Sequence, residues 1–165
     1  MRNHRANLAT ISSPGWYPPQ DGTLTRMVYS LMMRGVSVKT SDCEGIVHPA
    51  AIKGMELFNA GEYWLAHEHL EEAWNAESGA VRELYRAILQ TAVVYLHITR
   101  ANYKGAVKVY GRVQKWITPW PDICRGIQIG QLRQELEVVI AEVKRLGPDR
   151  LAEFDQSLFK PVRWT

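Results

Sequence analysis

His67, Glu71 and Trp74 place an imidazole, a carboxylate and an indole within eight residues of one another. Spacings of four and three put such side chains on one side of an α-helix, where neighbours a turn apart can meet. Two chemistries follow from these residue types. His67 can act as a general base with Glu71 orienting it, or the two can contribute to a divalent-metal site. At about 100° per residue, Tyr63, Ala66, Leu70 and Trp74 define an apolar stripe, with His67 in its middle and Glu71 at its edge. Glu68 and Glu72 point outward and His69 lies on the opposite flank. Charged or titratable groups on an apolar face conflict with simple patterning, and such conflicts concentrate at functional sites. A structural network, in which His67 donates to Glu71 and packs on Trp74, satisfies the same pattern without any activity.

Metal spacings separate these readings. Zinc proteases use two imidazoles one turn apart, whereas His67-Glu68-His69-Leu70-Glu71 lacks the second. Di-iron bundles use Glu-x-x-His, yet Trp64, Ala66 and Val94 stand three residues before His67, His69 and His97. No metal or other cofactor is therefore expected; were a divalent ion held, its ligands would be His67, Glu71 and His97. Ser78 and Ser157 have no Gly-x-Ser-x-Gly context, and no phosphate-cradling glycine loop is present.

A second wall for the His67 face lies further along. Arg86, Gln90, Val93, His97 and Arg100 recur at spacings of three and four on an otherwise apolar helix. If that seam faces the His67 helix, Arg86, Gln90 and His97 converge on His67 and Glu71; otherwise it is the solvent side. Glu68, Trp74, Arg86, Gln90, His97 and Asn102 are the candidate binding residues, beside His67 and Glu71 as the candidate catalytic pair.

The elements positioning these side chains read as helices throughout. Pro49 suits a first turn, Ile52, Met55 and Phe58 follow at spacings of three, and Asn59-Ala60-Gly61 ends the helix. A second helix runs from about Glu62 to Trp74, a third from Val81 to Arg100 and a fourth from Tyr103 to Ile117. The third centres on Leu84, Ile88, Thr91, Ala92, Tyr95 and Thr99, which implies a helix packed on several sides. On the fourth, Lys104, Lys108, Arg112 and Lys115 oppose Ala106, Tyr110, Val113 and Ile117, the pattern of a solvated surface helix. Thr118-Pro119-Trp120-Pro121 breaks the chain. A fifth helix spans Gln128 to Leu146, with Leu132, Leu136, Val139 and Val143 inward. Gly147-Pro148 stops it and starts a short sixth that buries Leu151, Phe154 and Leu158. No stretch alternates with period two, so the class is all-α: a compact array of five to six helices.

The domain is assigned to residues 47–165. Residues 1–46, broken by Pro14, Gly15, Pro18, Pro19 and Gly22, read as an irregular leader. That leader holds five basic and three acidic residues, leaving fifteen and fourteen of the chain's 20 and 17 in the body. A nearly neutral body argues against non-specific nucleic-acid binding. No run approaches a membrane span, and Arg2 and Arg5 are followed by no secretory apolar stretch, so a cytoplasmic protein is expected, with organellar import the alternative. Cys43 and Cys124 read as free thiols of a reducing compartment rather than a disulfide.

The run Phe58-Asn59-Ala60-Gly61-Glu62-Tyr63, followed by Ala66-His67-Glu68, Leu70-Glu71 and Trp74, resembles the family catalogued as domain of unknown function 309. The likeness continues through Arg82, Leu84, Leu89-Gln90, His97, and Asn102 with Gly105-Ala106, and covers roughly residues 48–115. It departs at Ala101, where that family's pattern carries glycine before the asparagine. The resemblance implies a compact, stand-alone helical domain and no established activity. Two functions remain: an interaction or structural module with an unidentified protein partner or a second copy, in which His67, Glu71 and Trp74 fix packing, and an acid–base or metal-dependent enzyme, such as a hydrolase, completed by Gln90 or His97.

Overall fold

The computed structural model describes residues 37–165, which form one compact body. The proline- and glycine-rich stretch 1–36, and with it most of the leader assigned from sequence, lies outside the described residues.

Five α-helices make up the body: α1 (Pro49–Asn59), α2 (Tyr63–Ala76), α3 (Arg82–Thr99), α4 (Tyr103–Ile117) and α5 (Ile129–Arg150). The all-α expectation holds. His48 caps α1, its Nδ1 accepting from the Ala50 N–H at 3.2 Å, and Pro49 takes the first turn. Gly61, at φ 80°, ends α1 in a Schellman turn: its N–H donates to the Phe58 carbonyl and that of Glu62 to the Leu57 carbonyl. Gly147, at φ 70°, interrupts α5 just before Pro148, which is the stop read from the sequence. The short sixth helix is a tight turn, Leu151–Glu153, burying Leu151 and Phe154.

α3 is the central element, with Leu84, Tyr85, Ile88, Ala92 and Tyr95 all without solvent exposure. Thr91 is buried too, its hydroxyl donating to the Ala87 carbonyl. Thr99, expected inside, is exposed because α3 ends there and its hydroxyl turns back to Leu96. One end of the core is aromatic: Tyr95 stacks on Phe159 with centroids 4.3 Å apart, and Phe58 and Tyr63 meet it at 5.2 and 5.5 Å. Burial raises the Tyr63 hydroxyl to about 12, which keeps it protonated. Asn59 ties the tail to this end, its amide donating to the Val162 carbonyl and its oxygen accepting the Val162 N–H.

Two features correct the sequence reading. Ile123–Cys124 (β1) and Ile127–Gln128 (β2) form a minimal antiparallel hairpin, too short to show alternation. Its two-residue turn, Arg125 at φ 48° and Gly126 at φ 80°, is the left-handed pair that such hairpins need. The second is a disulfide between Cys43 and Cys124, which stand 81 residues apart. Arg125 reinforces it by donating to the Asp42 and Ile46 carbonyls and to Glu77. Segment 37–46, assigned to the leader, is thereby fastened to the body. The free-thiol expectation failed because spacing along the chain carries no sign of a pairing across the fold.

Candidate functional site

Contacts along α3 fix how its neighbours lie. Tyr63 meets Tyr95 at one end of α2, while Trp74 meets Arg82 and Arg86 at the other, at 5.0 and 5.3 Å from guanidinium carbon to ring centre. The two helices are therefore antiparallel, in a register that sets His67 level with Gln90. On the other side, Arg86 lies 4.1 Å from the Trp116 ring centre of α4, and Gly105 abuts His97. The polar seam of α3 thus lies between α2 and α4, with Arg86 held by an indole from each.

Most of the sequence-predicted residues line this three-helix face. His67, Glu71, Trp74, Arg86, Gln90 and His97 are all half-buried, and Glu68 is exposed. Trp64 stacks on His67 with centroids 5.5 Å apart and planes 16° apart, while remaining 48% exposed. Leu65 beside it is 43% exposed. The expected bond between His67 and Glu71 does not form. Instead His67 Nδ1, Trp74 Nε1, Gln90 Oε1 and Arg82 Nε are shielded from solvent without a hydrogen-bond partner among the described residues. Leaving such an atom unpartnered costs about 1–3 kcal/mol. Glu83 is the nearest counter-charge, its two oxygens 3.8 Å from Arg82 and 3.4 Å from Arg86.

His97 and Asn102 belong to a different piece of architecture. The Asn102 oxygen accepts the Gly105 N–H at 2.9 Å and so caps α4, which turns its amide nitrogen to His97 Nδ1 at 3.1 Å. That nitrogen donates, so His97 Nδ1 accepts and the ring is neutral. Burial, then the charge of Arg100, lowers the His97 pKa and favours the same form. In the register above, His97 lies past the N-terminal end of α2, since Tyr95 already meets Tyr63, the first residue of that helix, whereas Glu71 sits about two turns further along it. Consistent with that, no group of three or more His, Cys, Asp or Glu among the described residues is placed to hold a metal, and His67, Glu71 and His97 do not assemble. Lys104, Lys108, Arg112 and Lys115 are exposed, as the surface-helix reading expects.

Residues 51–109 match the family described as "Domain of unknown function (DUF309)". The resemblance drawn from the sequence holds. Its signature divides in two on the structure: Phe58, Asn59, Gly61 and Tyr63 build the α1–α2 corner, whereas His67, Trp74 and Gln90 face the seam. An uncharacterized protein of Aquifex aeolicus (strain VF5) is 29% identical over 126 residues. The match covers 73% of this chain and 37% of that protein, so the chain spans little more than a third of the relative's length. No solved structure matches. Among the described residues, no helix is long and apolar enough to cross a membrane.

The departure at Ala101 also acquires a structural meaning. α3 ends in a second Schellman turn, with the Ala101 N–H donating to Ile98 and the Asn102 N–H to His97, and Ala101 sits at φ 51°. A side chain in that region costs about 1–2 kcal/mol, part of which glycine returns as lost chain entropy. Ala101→Gly is expected to stabilise the protein by about 1 kcal/mol in urea unfolding; a loss of stability would contradict the turn.

Sequence reasoning missed Trp64, Trp116 and Arg82 as members of this face. Trp64 falls just off the apolar stripe of α2, and only the packing of α4 beside α3 brings Trp116 to Arg86.

Proposed function

We propose that this chain is an interaction module that receives a protein partner on the α2–α3–α4 face. The observation that carries the reading is the set of unpartnered polar atoms (His67 Nδ1, Trp74 Nε1, Gln90 Oε1) beside an exposed indole, Trp64. A closed structural network would pair those atoms with each other. A partner that supplies their complements removes their desolvation cost, and aromatic anchors such as Trp64 dominate binding energy at interfaces. The acid–base reading asks more of the site, because the His67–Glu71 bond that would orient the base is absent.

A photoreactive benzoyl-phenylalanine at position 64 tests this. It is expected to cross-link one defined partner in cells, with no such product from position 138, an exposed valine on α5. Gln90→Ala should abolish the product while the melting temperature holds. Equal cross-linking from both positions, or a product indifferent to Gln90→Ala, overturns the proposal.

A further inference from the structure

The geometry points to the Trp74 end of this face as a site for a carboxylate on the partner, so that the occupant is an acidic peptide segment; this rests on the docking reading above. Donors dominate this end of the face. Arg82 Nε and Trp74 Nε1 are permanent hydrogen-bond donors with no acceptor capacity, and both are shielded and unpartnered among the described residues. They lie around one indole, since both Arg82 and Arg86 are stacked against Trp74.

A guanidinium packed on aromatic faces keeps its N–H edge for planar, bidentate binding of a carboxylate. Arg86 is fixed in that way between Trp74 and Trp116, so little side-chain freedom remains to be lost on binding. What occupies the edge now is Glu83, which serves two arginines at once and holds both at long range, 3.4 and 3.8 Å. Two cations share one carboxylate; Arg82 Nε faces it only at 3.8 Å, beyond hydrogen-bond reach, and Trp74 Nε1 has no acceptor among the described residues. Glu71, one turn before Trp74, makes no ion pair with either arginine. An incoming carboxylate restores the balance: it takes the guanidinium edges now shared by Glu83, and displacing that side chain opens the shielded Arg82 Nε and Trp74 Nε1 donors to it. Glu83 is therefore an internal competitor, and its removal should tighten binding rather than weaken it.

The test follows the indole and arginine Nε resonances of the ¹⁵N-labelled full chain by NMR. The titrant is a short glutamate- and aspartate-rich peptide, with inorganic phosphate and sodium chloride at matched ionic strength as parallel arms. The peptide is expected to shift the Trp74 Nε1 and Arg82 Nε signals saturably. Arg82→Gln should weaken binding at least tenfold and Glu83→Gln should tighten it severalfold. Trp74→Phe keeps an aromatic stack and removes the donor, so it should weaken binding without loss of fold. Absence of a saturable shift overturns the inference, as does equal binding of phosphate, which would mark a free-anion site. Unchanged or weaker binding on Glu83→Gln overturns it as well. Cross-linking from position 64 that persists alongside such a failure would leave the docking face standing and remove only its acidic occupant; loss of both would remove the face itself.

Discussion

Cys43→Ser combined with Cys124→Ala is expected to lower the stability of the folded protein by about 4 kcal/mol. The bond joins residues 81 apart, and a cross-link of that span withholds a large loop entropy from the unfolded chain. Alanine is the fitting replacement at position 124, because that side chain is only 1% exposed and a hydroxyl there would be buried without need. The fold itself should survive. Arg125 still ties the segment down through the Asp42 and Ile46 carbonyls and Glu77, and its own N–H donates to the Cys43 carbonyl. The readout is urea unfolding by far-ultraviolet circular dichroism, with and without reductant. The wild-type midpoint should drop on reduction to that of the variant, and the variant should not respond. A wild-type midpoint indifferent to reductant would show that the bond contributes nothing.

The disulfide also marks where reading along the chain stops working. Helices announce themselves locally: the spacing of Leu132, Leu136, Val139 and Val143 sorts one face from the other, and all four are buried. Stops are local as well, so Gly61, Asn102 and Gly147-Pro148 fall where the helices end. Pairings across the fold leave no such trace. Neither the Cys43–Cys124 bond nor the docking of segment 37–46 has a periodicity, and a two-residue strand is too short to alternate. Asn59 makes the same point from within the signature, since its partner, Val162, lies 103 residues away.

The candidate site was legible in composition and misjudged in wiring. His67, Trp74, Arg86 and Gln90 do come to one face, because the seam of α3 turns toward α2. Helical spacing allows the contact between His67 and Glu71 but does not compel it, and Trp64 takes the imidazole face instead. Likewise His97 sits on the right seam at the wrong height, where Asn102 has a local use for it in capping α4. Angular position on a helix can be read from one sequence; height relative to a neighbouring helix cannot.

Gly54→Ala is expected to cost about 2 kcal/mol, and the same change at Gly111 to gain about 1 kcal/mol. Both glycines lie inside helices, where alanine is the better former, so local propensity alone predicts a gain at each. Packing reverses the sign at one of them. A Cβ on Gly54 would lie 2.6 Å from Leu70 Cγ and 3.2 Å from the Ala66 carbonyl oxygen, whereas one on Gly111 meets nothing within 4 Å. Leu70 has no exposed surface and cannot swing away, so α1 must lift from α2 and loosen the corner that aims His67 at the seam. The check is internal: Leu70→Ala should make Gly54→Ala nearly harmless, a coupling expected only of residues in direct contact. If the two substitutions simply add, the close approach of α1 and α2 at Gly54 is not what holds that corner.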